Sequence, residues 1–206
     1  MQQSLNIARV EKHFTRYIAD IPYLYFNKHG DGLIGIAFHI ANKTEFAKLN
    51  LRNKHTKQLA GRDEKTAEFI RSSRLPKGYA VNFYEPFGEL YLPHSESLKL
   101  LSNRVSALIT ELQDSYKKPA FKQLPLAVQL SLLDMTYELK QQSLADTYPD
   151  FHTAIKQQDW LLASEHCHRE HISKARNNKI KSLLKNAEAP NKNWLYSLKN
   201  WLLQLL

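Results

Sequence analysis

The chain has 206 residues, 43% of them apolar and 24% charged, with a formal charge of +9. That composition excludes a disordered or fibrous chain and fits one globular domain or two small lobes sharing a core. The single cysteine, Cys167, excludes an internal disulfide framework and suits a reducing compartment.

The opening MQQSLNIARVEKHF lacks the basic-then-apolar pattern of a secretory signal. The expectation is a cytoplasmic protein as synthesised, with any export independent of a cleaved signal. No apolar run reaches the roughly 18 to 20 residues that span a bilayer. Over residues 4–20, Leu5, Ile7, Val10, Phe14 and Ile18 recur at steps of two to four, with Ile21 beyond. This predicts an amphipathic helix that ends before Pro22. Aromatic and β-branched residues then flank Gly30-Asp31-Gly32, a strong hairpin signal.

Residues 41–80 are polar, basic and helical in part, closed by Pro76 and Gly78. Leu98, Leu101, Val105, Leu108, Ile109 and Leu112 predict a helix over Ser95–Tyr116, with Ser95 as its cap after Pro93. Pro125–Lys140 is apolar on more than one stripe and is the expected buried central helix. Shorter helices are predicted around 151–157, 159–169 and 173–186. A linker over 187–193 leads to an amphipathic helix, 194–206.

Charge is unevenly placed. Ala41–Lys77 holds ten Lys/Arg against four Asp/Glu, net +6, and Cys167–Lys185 holds six against one, net +5. Such stretches suit an anionic polymer, an anionic lipid or an acidic protein, or else a solvated surface. Nucleic acid is disfavoured, because few aromatics interleave the charge and no helix-turn-helix or zinc-finger signature is present. His166, Cys167, His168 and His171 cluster, and on a helix His168 and His171 would share a face. No second cluster completes a zinc site, so neither metal nor cofactor is expected.

Two blocks carry a family resemblance. IPYLYFNKHGDGLIGIAFH, and QLSLLDMTYELK with DWLLASEHCHREHISKARNNKIKSLL, resemble the hairpin and the helical core of phage-type lysozymes. They resemble a bacterial branch that includes the pesticin-like toxins and the lysozyme-like effectors of type VI secretion. The resemblance covers most of residues 10–186 and implies an α+β, mainly helical fold. A hairpin lobe of about 15–80 and a helical lobe of about 90–186 would form one lysozyme-like domain, 1–186. The scaffold residues Pro22, Tyr23, Tyr25, Gly30, Gly35, Asp134, Met135, Arg176 and Asn177 match the family pattern.

The catalytic positions do not. In the register set by Pro22-Tyr23, the family's acidic Glu falls on Ile18, its Asp on Asn27 and its Thr on Leu33. The Gly-His after the hairpin falls on Ala37 and Phe38, and the Asn-Leu-Gly of the buried helix on Glu138-Leu139-Lys140. Glycoside hydrolysis needs one carboxylic acid to protonate the leaving oxygen and a second carboxylate on the sugar's other side. Losing one positioned acid or base costs about 10²–10⁴ in rate.

The first expectation is a degenerate lysozyme-like protein that binds without cleaving, through a groove near Tyr25, Asn27, His29, Tyr137 and Glu138. Its partner would be peptidoglycan or a secretion-system or effector protein. A second is an active muramidase with relocated carboxylates, drawn from Asp20, Asp31 and Glu11. A third is an interaction module without glycan affinity. Trp194, Leu198, Trp201 and Leu205 would then dock a partner or a membrane interface from the last helix.

Overall fold

The computed structural model describes residues 5–117, 120–139 and 142–187. The expected terminal helix, with Trp194, Leu198, Trp201 and Leu205, lies outside the described residues, as does most of the expected linker. The fold is α+β and mainly helical. The chain divides into two compact units, Ile7–Ser106 and Ala107 onward together with the residues before Ile7.

In the first unit, α1 (Ile7–Tyr17) precedes β1 (Ile21–Phe26), β2 (Gly32–Gly35) and β3 (Phe38–Ile40), an antiparallel sheet in the order β1-β2-β3. The hairpin turns at Gly30, whose φ is +82°, as the Asp-Gly signal requires. The third strand was not visible in the sequence. Then come α2 (Lys43–Ala47), β4 (Arg52–Asn53) and α3 (Arg62–Ser73). Two single 3-10 turns, 81–83 and 85–87, lead to β5 (Leu90–Tyr91), which pairs with β4.

Alternate residues of the sheet face opposite ways. Leu24, Phe26, Ile34 and Ile40 are buried in a core with Phe46, Leu49, Leu51, Tyr84, Leu90 and Leu92. Among the polar side chains buried in this unit is Glu68 on α3, only 2% exposed. Its carboxylate pairs with Arg71 and accepts the N–H of Glu89 at 3.1 Å and of Leu90 at 3.5 Å. A charged side chain thereby ties α3 to β5.

The helix α4 (His94–Ser115) runs across the division between the units. Its first turn begins one residue earlier than expected. Glu96 and Ser97 donate their N–H groups to the carbonyl of Pro93, so Ser95 lies inside the first turn and is not the cap.

In the second unit, α5 (Leu126–Tyr137) is buried at every residue from Val128 to Tyr137. This is the central helix that an apolar surface on all sides predicts. Around it lie α6 (Leu144–Thr147), α7 (Pro149–Lys156), α8 (Trp160–Glu165) and α9 (Lys174–Lys185). Helix α8 stops at Glu165, so His166, Cys167, His168 and His171 occupy a loop rather than a shared helical face. Cys167 is buried, and burial pushes its thiol up, away from the reactive thiolate.

Tyr116 and His152 join in this unit, with the phenol oxygen 2.8 Å from Nδ1. Burial raises Tyr116 above the ordinary phenol range and, with Lys156, lowers His152. The phenol therefore keeps its proton and shares this hydrogen bond with a neutral imidazole. Because the unfolded chain binds the histidine proton more readily, stability is full above the unfolded value of about 6.5 and declines as pH falls below it. Melting temperature measured from pH 7.5 to 5 is expected to drop, and His152→Gln should flatten that slope.

Candidate functional site

The candidate site is the outer face of the three-stranded sheet and the turn above it. Leu33 pairs with Tyr25 on one side and with His39 on the other. These three side chains thus share one face, and all are half-buried. Tyr25, expected to line a groove, is a direct cross-strand neighbour of Leu33, where the resemblance places a threonine.

Asn27 organises the turn. Its Oδ1 accepts the N–H of His29 at 2.9 Å and of Asp31 at 3.0 Å, while Nδ2 donates to Asp31 Oδ2 at 2.9 Å. The two backbone donors fix which end of the amide is oxygen. The other end then has to be a donor. An aspartate at this position would keep the first two bonds and set carboxylate against carboxylate at the third. Asp31 also lies 3.7 Å from His39 Nε2, and His29 is exposed at the turn.

Ile18 sits at the end of α1, its N–H bonded to the carbonyl of Phe14 at 2.9 Å. Glu11 is half-buried in the middle of the same helix. Two residues past Ile18, Asp20 is held on both oxygens. Oδ1 accepts the Ser97 hydroxyl at 2.7 Å, and Oδ2 stands 2.6 Å from His94 Nδ1. Ser97 Oγ in turn accepts the N–H of Ile36 at 3.1 Å. The carboxylate links the loop after α1, the start of α4 and the turn between β2 and β3. Sequence reading offered Asp20 as a spare acid because its partners lie 74 and 77 residues away.

That turn carries an unusual backbone. Gly35 has φ +61° and Ala37 has φ +51°. Ala37 occupies the place where the resemblance puts a glycine, and the backbone still adopts the left-handed conformation that glycine favours. Ala37→Gly is therefore expected to stabilise the chain by about 0.5–1 kcal/mol, a rise of a few degrees in a thermal melt.

The remaining expected groove residues lie in the second unit and play a different part there. Tyr137 is buried at the end of α5, and Glu138, the next residue, pairs with Arg176. Glu138 belongs to an ion network around Asp134. Arg169 donates to the Asp134 carbonyl at 2.8 Å and to its Oδ1 at 2.6 Å. Arg176 Nε reaches both carboxylate oxygens, at 3.1 and 3.0 Å. Asn177 closes the loop between α8 and α9 by exchanging hydrogen bonds with the Arg169 backbone. Asp134 and Arg169 side chains are 0% exposed, and Arg176 is 4% exposed. Two of the six cations counted in the 167–185 stretch are therefore neutralised inside and are not part of a solvated surface.

Among the described residues, no three His, Cys, Asp or Glu gather to hold a metal ion, and no helix is long and apolar enough to cross a membrane. Comparison of the chain with protein-family models, curated proteins and solved structures finds no match.

Proposed function

We propose that the chain is a degenerate lysozyme-like protein that binds peptidoglycan and does not cleave it. The observation that carries this reading is the Asn27 amide. It donates to Asp31 from a geometry that fixes its orientation, so the hairpin is built around a neutral group where hydrolysis would need a charged one. Asp20 supports the same reading, since both of its oxygens serve as structural acceptors. Asp134, Arg176 and Asn177 work in the internal network, whereas Ile18, Asn27 and Leu33 depart from the pattern at the positions where the resemblance puts the chemistry.

The partner is argued from the resemblance and from charge. Ala41–Lys77 carries net +6, and peptidoglycan bears carboxylates. The hairpin face of Tyr25, Asn27, His29 and Leu33 is the proposed contact.

Purified peptidoglycan tests both halves. No loss of turbidity, with the protein retained on sedimented walls, is the expected result. Clearance that disappears in Asp31→Asn would overturn the non-cleaving reading and favour a muramidase with relocated carboxylates. Absence from the pellet would overturn the choice of partner and favour a protein-interaction module.

A further inference from the structure

Past the basic stretch, three aromatic rings stand in a row on the surface of the first unit. Tyr79 is 56% and Phe87 43% exposed. Ring centroids lie 4.7 Å apart between Tyr79 and Phe83 and 5.3 Å apart between Phe83 and Phe87. Phe83 also meets Tyr84 edge-on at 5.2 Å. Tyr84 is buried, and its hydroxyl shares its proton between the carbonyls of Phe26 at 2.9 Å and Pro76 at 2.7 Å. The row is thus anchored to the core through one tyrosine. Isolated exposed apolar residues need no explanation, but a fixed row of large ones does.

Cations lie on the segments next to it. The hairpin's Lys28 abuts Gly78, where an added Cβ would come within 2.9 Å of the Lys28 Cα, so Lys28 is brought beside Tyr79. Lys54 Nζ donates to the carbonyl of Glu85 at 2.8 Å, in the turn that carries Phe87. Arg74 is exposed just ahead, and Lys77 Nζ rests 3.5 Å over the ring of Phe26. Glu85 is the one acid between positions 76 and 88, and Glu89 lies 3.4 Å from Arg71.

We infer that this row is a contact surface for the anionic face of a lipid bilayer. Centroids this close mean rings in direct contact. No nucleic-acid base and no sugar ring can enter between them. A stacking platform for single-stranded nucleic acid needs free faces. A lipid interface needs no slot. Aromatic rings settle at headgroup depth while flanking lysines and arginines meet lipid phosphates. The inference does not rest on the function proposed above, because it uses none of the hairpin-face residues of that reading.

Sedimentation of the full chain with vesicles tests it, comparing one part phosphatidylglycerol in three of phosphatidylcholine with phosphatidylcholine alone. Partition onto the anionic vesicles is expected to weaken with salt and to be slight on the neutral ones. Tyr79→Ser/Phe87→Ser should lower the partition coefficient about tenfold or more, and Lys28→Glu/Arg74→Glu should do the same at low salt. Both variants should still melt in one cooperative transition, the aromatic one somewhat lower for the ring contacts it loses. Failure to partition would overturn the inference. Partition equal to the parent in the aromatic variant would also overturn it, by moving the contact elsewhere. The same holds if that variant loses an oligonucleotide or an acidic protein while keeping the vesicles.

Discussion

Asp134→Ala is expected to destabilise the helical unit by about 3–5 kcal/mol, because it leaves the buried Arg169 guanidinium facing no counter-charge and Arg176 with Glu138 alone. Arg169 and Arg176 both converge on this carboxylate, and neither can turn to water without opening the packing of α5 against α9. A typical domain has only about 5–15 kcal/mol in total. Urea denaturation followed by far-UV circular dichroism should therefore show a midpoint moved far down or a unit already unfolded. Glu138→Gln gives the contrast. Glu138 is 21% exposed and pairs with Arg176, so its loss should cost about 1 kcal/mol. If Asp134→Ala melts like the parent, the network does not hold the unit together. Replacing all three buried partners by apolar residues of similar volume should be far milder than removing Asp134 alone, because it is the stranded charge that costs.

Gly35→Ala is expected to cost about 2–4 kcal/mol, from two sources that act together. The backbone there has φ +61°, and an added Cβ would lie 2.6 Å from Ser97 Oγ and 3.1 Å from Leu92 Cδ2. Ser97 cannot step aside cheaply. It is 1% exposed, accepts the N–H of Ile36 and donates to Asp20. Ser97→Ala alone should cost about 1–2 kcal/mol through those lost bonds. The double variant should then be less destabilised than the sum, because the methyl group fills space that the hydroxyl has left. Strict additivity in thermal melts would show that the two residues do not collide. The contrast with Ala37→Gly, two positions along the same turn, is one of sign.

Much of the architecture was legible from period and punctuation. The buried α5 shows itself by apolar residues on every side, and the hairpin by Asp31-Gly32 after Gly30. What escaped notice has identifiable reasons. The strand Phe38–Ile40 is three residues long and reads as the tail of the hairpin's second run. Residues 81–87 form two isolated turns, which have no period to detect. Glu68 lies in a polar helix and looks solvated, since the N–H groups it accepts belong to residues 21 and 22 positions later. The candidate site was half legible. Asn27 and Leu33 stood out against the family pattern, but only three-dimensional proximity shows that Asn27 donates to Asp31. It likewise took proximity to show that Asp20 is held by His94 and Ser97. Formal charge counting failed at Arg169 and Arg176 because it is blind to pairing across 35 and 42 residues.

The internal pairing of those two arginines has an electrostatic consequence. An approaching polyanion samples the field outside the molecule, where a compensated pair contributes little. The lysines of Ala41–Lys77 and its neighbours, mostly open to solvent, then govern long-range attraction. Encounter rates should follow ionic strength through that stretch and through Lys174, Lys181 and Lys185, which are exposed on α9, whichever partner the protein meets.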